Sequence, residues 1–89
     1  MADGTLRVRV VSSDRLLFDG RARQVTVPGE AGVFEVHPFH RPIVSRLLPG
    51  VLLIDSQAVP ILRGIVKVEF DNVTAIIEPD VIPEEPPAS

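Results

Sequence analysis

The 89-residue sequence contains no cysteine, no tryptophan and no tyrosine, and each absence closes a line of function. Without cysteine there is no disulfide, no thiolate metal ligand and no thiol nucleophile, so the chain must fold on packing alone. Without tryptophan or tyrosine it lacks the aromatic platforms that sugar-binding proteins lean on. Long apolar runs are missing too. No window approaches the roughly 20 apolar residues of a membrane-spanning helix, and MADGTLRVRV has no basic segment followed by an apolar stretch, so direct membrane insertion is not expected. Nine Lys and Arg stand against twelve Asp and Glu, a net charge of −3, and the basic residues are scattered along the chain. That balance works against the phosphate backbone of a nucleic acid as a partner.

What is present is aliphatic side chains and proline. A chain of this length makes one domain that buries only about 60–65% of its unfolded surface. With four Phe as its largest side chains, its core must be built from branched aliphatics. The nine prolines interrupt every candidate window before an amphipathic helix can form, so strands carry the fold. In Thr5 to Val11, Leu6, Val8 and Val10 alternate with Thr5, Arg7 and Arg9, the period of a strand with one buried face. Ser12 to Asp14 turns the chain into a short strand at Arg15 to Phe18, and Asp19-Gly20 is expected to form a tight hairpin. The return strand, Arg21 to Val27, switches parity, which implies a bulge near Gln24.

Further turns are expected at Pro28-Gly29, Pro49-Gly50, Asp55 to Gln57 and Asp71-Asn72, with strand patterns at Val51 to Ile54, Val66 to Phe70 and Val73 to Glu78. The expected fold is all-β: an antiparallel β-sandwich or flattened barrel over residues 1–78. From Pro79 the acidic, proline-rich PDVIPEEPPAS (79–89) is expected to be a disordered tail. One feature strains a solitary sandwich. Val51 to Ile54 is apolar at both parities, and Ile65 shares the parity of Lys67 and Glu69, so either a strand there is central or an outer face docks on a partner.

The stretch PGEAGVFEVHPFHRP (28–42) holds both histidines, but its chemistry is thin. Glu35, His37 and His40 are the potential metal ligands, yet Pro38 breaks the spacing and no further ligand stands nearby, so no metal site is expected. Ser45 follows His40 without a strand-turn-helix elbow. Asp55, Glu69 and Asp71 pair with no second local carboxylate and read as solvated loop acids. Neither G-x-G-x-x-G nor G-x-x-x-x-G-K-[ST] occurs, so no phosphate cradle and no cofactor are expected.

The order of small motifs carries more. Pro28-Gly29, Gly32, Phe34, Val36, Pro38, His40, Pro42 and Leu48-Pro49-Gly50 resemble the run PG-x-x-G-x-F-G-V-x-P-x-H-x-P and a following Pro-Gly turn in the epsilon subunit of F-type ATP synthases. The resemblance continues through Arg63-Gly64-Ile65-Val66-Lys67-Val68 and Asn72-Val73-Thr74, and includes Phe18-Asp19-Gly20. It implies a sandwich of about ten short strands. The function it implies is non-catalytic: a rotor subunit that joins the gamma subunit to the ring of c subunits and couples ion flow to ATP synthesis. Such a subunit is peripheral, at the cytoplasmic face of the inner or plasma membrane.

By the same resemblance Glu30, Ala31, Gly32 and Val33 form the turn facing the c-ring, and His40, Arg41 and Pro42 lie at the gamma interface or brace the loop. Glu35, Arg41 and Arg63 stand where the family usually has glycine or a small residue. The helical hairpin that restrains ATP hydrolysis in most family members has no counterpart in these residues. The alternative reading is a free-standing sandwich that binds an unrelated protein.

Overall fold

The computed structural model describes residues 4–80 and is built from eight strands with no helix among the described residues. They are β1 (Leu6–Val11), β2 (Leu16–Ala22), β3 (Val25–Gly29), β4 (Gly32–Val36), β5 (Ile43–Leu47), β6 (Gly50–Ile54), β7 (Gln57–Glu69) and β8 (Asn72–Pro79). Eight is close to the expected ten. The strands form one continuous sheet in the order β2-β1-β8-β7-β5-β3-β4, with β6 paired to both β3 and β7, and the sheet folds over on itself as a β-sandwich.

A single long hairpin links the two layers. β5 pairs with β7 from Ile43 opposite Val68 to Leu47 opposite Gly64; the pairing resumes at Gly50 opposite Ile61 and ends at Ile54 opposite Gln57. Between these segments the strand turns a corner at Leu48 and Pro49. β3 registers that corner, since Gly29 faces Leu47 while Thr26 faces Leu53, so a short stretch of β3 spans a longer stretch of its partner. On β7 the corner coincides with a register shift between Ile61 and Arg63. There the facing flips: Ile61 is buried, Leu62 and Arg63 are exposed, and burial resumes at Val66. Gly64 is required at the bend, because a Cβ there would lie 2.6 Å from the Ile76 carbonyl oxygen.

The core forms one cluster of aliphatic side chains drawn from both layers, among them Leu6, Val8 and Val10 of β1, Leu52 and Ile54 of β6, and Val66 and Val68 of β7. Among the described residues no polar or charged side chain is buried with them. Each fully buried Val, Leu or Ile contributes about 1.5–3 kcal/mol of transfer free energy. The phenylalanines stay out of the centre: Phe18 and Phe34 pack on its margin, while Phe39 and Phe70 are 81% and 83% exposed.

Several expectations are revised. Asp19-Gly20 is not a hairpin; both residues lie within β2, opposite Arg9 and Val8. Asp19 is held in the strand by Arg7 at 2.9 Å and Arg9 at 3.8 Å. The β1–β2 hairpin closes instead at Ser12 to Arg15, where the Ser12 N–H donates to the Arg15 carbonyl at 2.9 Å. The parity switch near Gln24 is a break between strands: β2 pairs with β1, and β3 leaves it to pair with β4. The sheet is also not wholly antiparallel, since β1 and β8 run parallel from Arg7 opposite Asn72 to Val11 opposite Ile76. β6 is a central strand with Leu52 and Ile54 in the core, and Val51 on its outer side is 45% exposed. β8 extends to Pro79, and the Asp80 N–H reaches the Pro60 carbonyl at 3.0 Å; the remainder of the expected tail, 81–89, lies outside the described residues.

Candidate docking surfaces

The PGEAGVFEVHPFHRP stretch is stretched along β4, so its turn and its histidine loop stand at opposite ends of that strand. Five strand residues put the two ends about 16 Å apart. At the first end, Gly29 pairs with Gly32 and leaves Glu30 and Ala31 as the two turn residues. Gly29 has no room for a side chain, because a Cβ would lie 2.7 Å from Phe34 Cε1 and 3.0 Å from the Gly32 oxygen. Gly32 adopts φ +132°, a conformation L side chains rarely reach. The turn is tied to β5 and the corner: the Glu30 N–H donates to the Arg46 carbonyl and the Leu48 N–H to the Pro28 carbonyl, each at 2.9 Å. Glu30, Ala31, Gly32 and Val33 all face solvent, and Val33 is 72% exposed. This is a fixed backbone offering one carboxylate, Glu30, beside small and apolar residues.

At the second end, residues 37–42 form a compact loop. The His40 N–H donates to the His37 carbonyl at 3.1 Å, and His40 Nδ1 donates to the Arg41 carbonyl at 2.6 Å. The His40 ring lies 6.3 Å from the Phe34 ring, tilted by 31°. His40 is half-buried and makes these contacts within the loop, while Arg41 and Pro42 are exposed. Glu35 meets His37 across 3.0 Å on the exposed side of the strand end, away from those His40 contacts. No group of three potential metal ligands gathers among the described residues.

Two acids first read as solvated are anchors. Asp55, in the β6–β7 turn with φ +54°, accepts the N–H groups of Arg23 and Gln24 at 2.9 and 3.1 Å, clamping the crossover from β2 to β3. Asp71, in the β7–β8 turn, accepts the Phe39 N–H at 2.7 Å, and its own carbonyl accepts the Arg7 N–H at 2.9 Å. Asp71 thus fastens the histidine loop and the start of β1 to one turn. That turn places Phe70 and Asp71, not Asp71 and Asn72, at its centre, with φ +51° and +60°. Phe39, at φ +71°, brings a second exposed ring to the same end. No sequence signal marks Phe39, whereas an aspartate at a turn is a general hint of backbone capping.

The model of the ATP synthase delta/epsilon chain β-sandwich domain matches residues 5–79, which takes in both candidate surfaces. The chain belongs to that family.

A curated member, the ATP synthase epsilon chain of Polaromonas naphthalenivorans, is 35% identical over 81% of this chain. The present chain spans 56% of that relative's length. Two solved structures share the sandwich fold. One is the central stalk and c-ring of the Tetrahymena thermophila mitochondrial ATP synthase, matched at TM-score 0.70 and 15% identity over 82% of this chain and 63% of that one. The other, the Euglena gracilis mitochondrial ATP synthase, matches at TM-score 0.75 and 19% identity over 85% of this chain and 54% of that one. At these identities the likeness establishes the sandwich fold.

Proposed function

We propose that the chain is the sandwich of a rotor subunit that joins the gamma subunit of an F-type ATP synthase to its c-ring, at the cytoplasmic face of the membrane. It carries out no covalent step; it is a clamp through which rotation driven by ion flow reaches the catalytic head. The observation that carries this reading is a family match running without interruption across the Glu30–Val33 turn and the His40–Pro42 loop. Two features support it. A clamp must resist shear, and the turn is closed by glycine contacts and two backbone hydrogen bonds to neighbouring strands. The loop is pinned by Asp71 and by the His40 bonds.

In this reading Glu30, Ala31, Gly32 and Val33 meet the polar loops of the c-ring, and His40, Arg41 and Pro42 meet gamma or brace the loop that does. The sandwich by itself leaves ATP hydrolysis by the catalytic head unrestrained.

The test is capture of the gamma subunit and of detergent-solubilised c-ring from the same genome. Stoichiometric retention of gamma is expected, with Val33→Asp weakening c-ring capture and His40→Ala weakening gamma capture. Absence of gamma binding at micromolar concentration overturns the reading and leaves a free-standing interaction module. Strong inhibition of a reconstituted head by this chain alone overturns the statement about hydrolysis.

A further inference from the structure

The two layers of the sandwich differ in what they turn to solvent. On the larger layer the outward positions carry charge, among them Arg7, Arg9, Lys67 and Glu69. The smaller layer is built from β4, β3, β6 and the first half of β7, paired in that order. One row across its outer side runs from Glu35 to Thr26, Leu53 and Ala58, each directly opposite the next. A second row holds Val33 opposite Pro28, and Val51 opposite Pro60. Pro28 is buried beside Gly50 at the corner; Val33, Glu35, Val51, Ala58 and Pro60 are exposed, and Thr26 and Leu53 are half-buried. Glu35, on the edge strand, is the only charge in the two rows.

A solvated sheet face normally carries polar residues at these positions. Val51 and Leu53 are the outward half of the Val51–Ile54 run that is apolar at both parities. Apart from Val33, neither candidate docking surface uses this face. We propose that a second copy of the chain closes it, packed face to face about a two-fold axis that runs along the strands. That axis lays β4 of one copy over β7 of its partner. Val33 then meets the partner's Pro60, Thr26 meets the partner's Leu53, and Glu35 meets the partner's Ala58.

Charge selects this occupant. Three strand spacings of about 4.8 Å and a layer separation of about 10 Å keep the two copies of Glu35 roughly 17 Å apart, beyond the Debye length of about 8 Å at physiological salt. The two rows bring no other charges together, so the face is complementary to itself. A polyanion or an anionic lipid surface finds no cation in either row. Area sets the strength. Four strands, each about 16 Å long, give a footprint of roughly 300 Å² per copy, well under the roughly 800 Å² per partner of a standard interface. The association is therefore weak, with a Kd on the order of 0.1–1 mM.

The inference goes beyond the rotor reading and does not depend on it. Sedimentation velocity of the full chain from about 10 μM to about 1 mM tests it. The weight-average mass should climb from that of one chain towards that of two, with ¹⁵N amide shifts that track concentration at Thr26, Leu53 and Ala58. Val51→Lys and Ala58→Lys, both at exposed positions, should each weaken the association at least about tenfold. Ile76→Lys on the larger layer should leave it unchanged, with circular dichroism confirming the fold of all three variants. A chain that stays monomeric at the highest concentration overturns the proposal. So does association that Ile76→Lys abolishes, or shifts confined to the Phe39 and Phe70 loops. Dimerisation that appears only once 81–89 is deleted gives the face to the tail. Gamma binding that shifts Leu53 and Ala58 in a chain monomeric throughout gives it to gamma, and either outcome also overturns the proposal.

Discussion

The β3–β4 and β7–β8 turns each join antiparallel strands through two residues, and they are made of opposite materials. Glu30 and Ala31 are flanked by Gly29 and Gly32, so the backbone bends where no side chain obstructs it. Phe70 and Asp71 make an equally tight turn with no glycine, both in the left-handed region. For an L residue that conformation costs roughly 1–2 kcal/mol, and something must hold it. Asp71 does so by accepting the Phe39 N–H while its carbonyl takes the Arg7 N–H. The first turn is held because Phe34 occupies the space a Gly29 side chain would take and two backbone hydrogen bonds tie the turn to β5 and the corner. The second is stiff because one side chain ties it to two other segments.

Filling the cleared turn should have the largest effect. Gly29→Val places a branched side chain where Phe34 and the Gly32 oxygen already stand, and a loss of about 3 kcal/mol is expected, read as a fall of more than about 10 °C in Tm. A change within about 0.5 kcal/mol would show that the Phe34 ring moves aside freely and that the turn is not closed by contact. Untying the second turn comes next. Asp71→Ala should destabilise by about 1.5 kcal/mol, and hydrogen exchange should speed up at the Phe39 amide while the Glu30 amide is unchanged. Unaltered exchange at Phe39 would remove Asp71 from its role.

The smallest effect has the opposite sign. Phe70 is 83% exposed and left-handed, so Phe70→Asn should relieve strain and stabilise by about 0.5–1 kcal/mol. Urea unfolding measures it, and a loss of stability would mean that the Phe70 ring makes a contact worth more than the strain.

Much of the fold could be read from local pattern. The alternation of Leu6, Val8 and Val10 predicted β1, the shortage of aromatics predicted an aliphatic core, and Ser12 to Asp14 marked the first turn. The misplaced hairpin at Asp19-Gly20 shows where that method ends. Its dipeptide is a turn former by local preference, but Arg7 and Arg9 on the neighbouring strand reward keeping it extended. The anchoring of Asp55 and Asp71 was hidden for a related reason, since their partners lie 31 or 32 residues away. Of the candidate site, local pattern placed a turn at Pro28-Gly29, two residues early, and the Glu30–Val33 turn came only from the family resemblance; the two exposed phenylalanines were not visible.

The sequence by itself determined which side chains are buried and that the chain is built of strands, because burial in a strand follows a two-residue period that neighbours along the chain display. The tertiary structure alone decided which carboxylates become anchors and which cations share a face. Basic residues on four separate strands, β1, β2, β5 and β7, look dispersed along the chain. Hydrogen-bonded pairing aligns those positions side by side on one face, where Asp19, Glu69 and Glu78 stand among them.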